Sequence, residues 1–174
     1  MMTVAKPKEG TYNPYFTRYI DLVDENDLMT ALENNRVETL NFFSQISDEQ
    51  GLHRYAEGKW SIKELFQHLI DTERIFANRA LRFARKDSIS LPGYDHDAFV
   101  PESRADRRSM AEMCTEFDLV RQGTLAMYRS FDDDMMAGTG NANGADLTVV
   151  AIGYLTAGHG KHHQRIIRER YLTA

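Results

Sequence analysis

Apolar positions recur at spacings of three and four residues in four stretches of the chain, the pattern of helices that bury one face. The first covers 26–44, with Leu28, Ala31, Leu32, Val37, Leu40 and Phe43 on its stripe. The second, 61–85, opens with Ser61 and Glu64 as a capping box, and Trp60 before the cap is placed to staple onto Leu65. Its stripe continues through Leu69, Thr72, Phe76 and Phe83. Ser109 and Glu112 repeat the device at the head of the third, 109–130, which carries Met113, Phe117, Val120, Thr124 and Met127. The fourth begins at 146–148 and runs through Val149, Ile152, Thr156, Ile166 and Ile167 to about residue 170. No stretch reads as a strand, so the pattern predicts an all-α protein, with residues 1–25 a less regular N-terminal arm.

The links refine this picture. Antiparallel neighbours in a bundle need loops of about 2–8 residues. Residues 86–108, which include Pro92, Gly93 and Pro101, and residues 132–145 are both longer than that. They predict a four-helix bundle with crossover connections between helices two and three and between helices three and four. Residues 87–104 are a candidate cover for an active site, or a strap on the bundle. The glycine-rich run from Gly138 to Gly144 follows no strand and misses the dinucleotide fingerprint, so it reads as a flexible link.

Composition narrows the function. A chain of 174 residues suits one domain, 1–174, that buries about 70% of its unfolded surface without help from a disulfide or metal. With 21 Lys and Arg against 26 Asp and Glu the net charge is −5, which argues against a nucleic-acid binder working by phosphate neutralisation. A single cysteine, Cys114, excludes an intramolecular disulfide and a cysteine-based zinc site, and its place in helix three reads as core packing. Lys6, Pro7, Lys8 and Glu9 interrupt the apolar run that a secretory signal needs, and the charge-free stretch 147–158 is too short to span a bilayer. A cytoplasmic protein with no membrane or nucleic-acid partner is expected. Glu-x-x-His, His-Glu-x-x-His and Gly-x-Ser-x-Gly are all missing from the sequence.

The histidines carry the chemistry. There are six: His53, His68, His96, His159, His162 and His163. At about 100° per residue, with Val149 at zero, His159 falls near 280° and His163 near 320°, inside the apolar stripe of the fourth helix, and His162 falls at its edge. His68 flanks the apolar face of the second helix and can reach inward. Imidazoles four residues apart on one helix are close enough to share an ion, and a third from another helix leaves one coordination position open, as catalytic sites do. Arg170 turns to the same side of its helix, either toward the site or toward a helix carboxylate. His96, Asp95 and Asp97 in the long loop, with His162 and Arg168, are further candidates for orienting a substrate, while His53 reads as a solvated loop residue.

The run GKWSIKELFQHLIDTERIFANRALRFAR, the loop LPGYDHDAFV and the ending AGHGKHHQRIIRERYL closely resemble the DinB-like (DinB/YfiT-like) metal-binding four-helix proteins, over about residues 26–172. The resemblance implies an up-down-down-up bundle that holds one divalent metal ion on His68, His159 and His163. Zinc or nickel is expected ahead of cobalt, iron or manganese. It also implies a homodimer and a transferase acting with a low-molecular-weight thiol on a small electrophile. The alternatives are a hydrolase using a water bound at the metal, or an ion that only pins helices together. Gly160 stands where the family often carries an acidic residue, and its missing side chain leaves room for a neighbouring helix or a ligand.

Overall fold

The computed structural model describes residues 3–172. Four long helices, α2 (Leu28–Phe43), α4 (Ile62–Ala84), α6 (Met110–Arg129) and α8 (Val149–Arg170), form the bundle. Short helices α1 (Thr17–Ile20), α3 (Asp48–Gly51), α5 (His96–Ser103) and α7 (Asp133–Met136) decorate it, with one antiparallel hairpin, β1 (Thr139–Ala142) and β2 (Ala145–Thr148). Capping boxes at Ser61 with Glu64 and at Ser109 with Glu112 start α4 and α6 where the sequence predicts. The Thr148 side chain accepts from the Ala151 N–H to start α8.

Two apolar clusters define the helix directions. One joins Leu28 and Leu32 of α2, Phe76 to Ala84 of α4, Leu125 and Tyr128 of α6, and Val149 to Ala157 of α8. The other joins Phe43 of α2, Ile62 to Ile70 of α4, Met110 to Phe117 of α6, and Ile167 of α8. The N-terminal halves of α2 and α8 therefore share an end with the C-terminal halves of α4 and α6, and the topology is up-down-down-up. Each of α2 and α4 packs between α6 and α8. The link from α4 to α6 joins parallel helices, so it must return along the bundle, and α5 packs on α4 as it does so. The link from α6 to α8 crosses one end.

That second link corrects the expectation of a flexible, strand-free segment. Asn143 and Gly144, with φ of 54° and 73°, form the two-residue turn of the hairpin. Both positions need the left-handed conformation, which Asn and Gly adopt most readily. Leu91 of the crossover docks on the hairpin, donating its N–H to the Asn141 carbonyl and accepting from the Asn143 N–H, both at 2.9 Å. Two short strands of small and polar residues give no alternating pattern, so the Asn-Gly pair was the available signal.

A polar layer separates the two clusters. Arg121, 1% exposed, donates through Nε and Nη2 to the two carboxylate oxygens of Glu73 at 2.7 and 2.9 Å, and through Nη1 to the Leu32 carbonyl and Asn35 Oδ1. Gly160 completes the layer from α8. A Cβ there would lie 3.0 Å from Asn35 Oδ1, so the missing side chain admits the neighbouring helix. The N-terminal arm lies on α8 beside Gly158, where a Cβ would meet the Tyr19 carbonyl oxygen at 2.1 Å. Among the described residues no helix is long and apolar enough to cross a membrane.

Candidate metal centre

His68 sits in the second turn of α4, and His159 and His163 stand one turn apart on the facing surface of α8. Their rings converge through Nε2: His68 to His159 at 3.3 Å, and His163 to His159 at 2.9 Å. One ring nitrogen from each lies within 4.8 Å of the others. A tetrahedral ion at the usual metal–nitrogen distance of about 2.0–2.1 Å sets its ligand nitrogens about 3.3 Å apart. Two of the three separations are close to that spacing. His68 and His159 are each 9% exposed, so bulk water does not serve these nitrogens freely.

Electrostatics point the same way. Burial, with a smaller push from His96, brings the His68 imidazole down to about 4. Burial also takes His159 and His163 well below the usual imidazole range, helped by neighbouring histidines. Neutral rings carry the free lone pairs that a cation needs, whereas protonated rings this close would repel one another. The His163 Nδ1 is buried and has no hydrogen-bond partner in the protein, as is His162 Nδ1. The donor set fits a divalent metal ion of borderline softness.

The surrounding side chains come from four segments. Thr72, one turn after His68, places Oγ1 3.4 Å from His68 Nδ1 and 2.5 Å from the Tyr94 hydroxyl. The ring of Trp60 lies 5.1 Å from that of His68, and His96 stands 5.8 Å from His68 and 5.9 Å from Trp60. On the α8 side Tyr19 meets His159 and His162 edge-on, at 5.7 and 5.0 Å. The crossover thus brings Tyr94 and His96 beside the centre while α5 packs on α4.

The other sequence candidates separate. His162 is half-buried beside His163, with ring centroids 5.2 Å apart. Arg170 is exposed at the rim, its Nη1 3.4 Å from the Tyr55 hydroxyl. It lines a cavity of about 250 Å³ with Tyr55, Trp60, Asp97 and His163. Arg168 instead covers Phe42, Asp95 caps α5, and His53 packs beside Tyr171. Cys114 is half-buried against the second apolar cluster, where burial pushes its thiol up. A second cavity, about 410 Å³, opens beside Tyr94 and His96. Tyr19 and Tyr94 went unseen in the sequence because they lie outside the long helices. Thr72 has a readable signal in its four-residue spacing from His68, although it also falls on the apolar stripe.

Comparison with known proteins agrees with the fold. No functionally curated protein matches the chain. Among solved structures the chain is similar to YfiT from Bacillus subtilis, described as "a probable metal-dependent hydrolase with an unusual four-helix bundle topology". The two share 17% identity and superpose with a TM-score of 0.72 over 94% of this chain and 90% of the other. The family model of the DinB superfamily matches residues 31–167, a span that reaches into all four bundle helices and includes the three converging histidines. The chain belongs to the DinB superfamily.

Proposed function

We propose that this protein is a metal-dependent enzyme in which His68, His159 and His163 hold one divalent ion through Nε2. The convergence of three neutral imidazoles, two of them buried and His163 half-buried, carries this reading. A divalent ion bound there would act as a Lewis acid, favouring the deprotonated form of a thiol or water brought to it. The chain's own residues supply the rest. Thr72, within reach of Tyr94, steadies the His68 ring from its Nδ1 side. Trp60, His96 and Tyr19 limit solvent around the nitrogens. Aromatic walls at Tyr55 and Trp60, with Arg170 at the rim, offer apolar contact and a positive charge to a small substrate beside His163.

Transfer of a low-molecular-weight thiol to a small electrophile is the reaction we favour. One observation supports a two-substrate reaction: separate cavities flank the histidines, one reaching His163 and the other reaching His96. Hydrolysis is the second reading, supported by the description of YfiT.

The test begins with elemental analysis of protein purified without a metal column, beside His163→Ala. About one divalent ion per chain is expected in the parent and a large loss in the variant, with unchanged circular dichroism. Absence of stoichiometric metal from the parent, under conditions that retain it in a control metalloprotein, would sink the proposal. In cobalt-loaded protein a thiol substrate should shift the visible absorption. No response to any cellular thiol, with turnover of ester or amide substrates, would favour hydrolysis.

A further inference from the structure

We propose that Arg79 anchors an oxyanion of the substrate, a carboxylate or a phosphate, in the cavity beside Tyr94 and His96. Arg79 is 8% exposed as a residue, and its hydrogen bond within the protein is from Nη2 to the Pro92 carbonyl at 3.2 Å. Among the described residues no carboxylate lies within ion-pairing distance of it. The contrast with Arg121 is direct, since that arginine, 1% exposed, has Glu73 and two further acceptors. An arginine does not shed its proton in a protein, so a buried one without an anion carries a desolvation cost that a bound anion relieves.

The cavity around it is built for such a guest. Its volume of about 410 Å³ suits a small molecule. Asn13, Asn143, Tyr94 and His96 line it with Arg79, and no Asp or Glu does. Among these lining residues Arg79 alone carries a permanent charge. Asn143 is fixed at the hairpin turn and sits over Gly93, where a Cβ would fall 2.2 Å from its Oδ1. Tyr94 links the chamber to Thr72 and so to His68, and His96 faces His68 directly. An anion held on Arg79 would leave the rest of its molecule against Tyr94 and His96. The arginine fork matches two oxygens of either anion, which an amide cannot offer.

That the guest is a substrate rests on the metal-enzyme reading above, but the anion site itself does not. The experiment therefore titrates metal-free protein with benzoate, phenyl phosphate and the neutral benzamide, by calorimetry and by the NMR shift of the Arg79 Nε–Hε resonance. At least one oxyanion should bind about tenfold or more tighter than benzamide, with that resonance shifting on saturation. Whichever anion wins identifies the group. Arg79→Gln should remove the preference and Arg79→Lys should weaken it, while both variants retain the metal content of the parent. Equal binding of all three probes, or an Arg79 resonance indifferent to a bound anion, would overturn the proposal. The resonance reads the contact in the unaltered protein, so a variant that fails to fold does not shield the idea. Loss of metal in His163→Ala with benzoate binding intact separates the two sites.

Discussion

Replacing Arg121 with methionine removes the cation paired with Glu73 at the middle of the bundle and leaves a similar volume of apolar stem. Both side chains of the pair are almost wholly enclosed, at 2% and 3% exposure. Breaking a buried pair from one side costs about 3–5 kcal/mol, because the remaining charge keeps its desolvation cost and loses its partner. Two further acceptors, the Leu32 carbonyl and Asn35 Oδ1, lose their donor in the same step. A chain of this length loses about 2–4 °C of melting temperature per kcal/mol, so Arg121→Met should melt about 6–20 °C lower. Urea unfolding of the metal-free protein, followed by circular dichroism, gives the free-energy difference directly. Adding Glu73→Leu should recover most of the loss, since replacing a whole buried pair with apolar groups is often nearly neutral. A loss below about 1 kcal/mol in the single variant, or a double variant far weaker than the single one, would refute this account of the layer.

Acid should weaken the metal-free protein through the histidine triad. The His68 imidazole lies near 4 in the folded chain and near 6.5 when unfolded, so between those values the unfolded state binds the extra proton. Stability is then full above about pH 6.5 and falls by about 3 kcal/mol on descending to pH 4, with His159 and His163 acting in the same direction. Urea midpoints across that range check the sign, and a flat profile would refute it. Introducing an acidic side chain with Gly160→Asp should cost about 2–4 kcal/mol, because its Cβ meets the Asn35 amide at 3.0 Å and its carboxylate is buried near Glu73. Unchanged urea stability in that variant would show that Gly160 does not serve to admit Asn35.

Much of this molecule follows from local rules. Capping boxes, helical stripes and the placement of His159 and His163 one turn apart depend on residues within a few positions of one another, and these were readable along the chain. The same holds for His68, whose angle on its helix follows from the stripe around it. Where the three rings meet, and at what separation, depends on how α4 and α8 pack, and only the tertiary structure supplies the 2.9 and 3.3 Å approaches. The short hairpin escaped the sequence reading because its stability comes from docking on Leu91 and Phe83 more than from its own pattern. Glu73 and Arg121 look like ordinary surface charges in the sequence, and 48 positions separate them. Their burial, and the isolation of Arg79, come from long-range packing, which decides which charges find partners and which face a cavity.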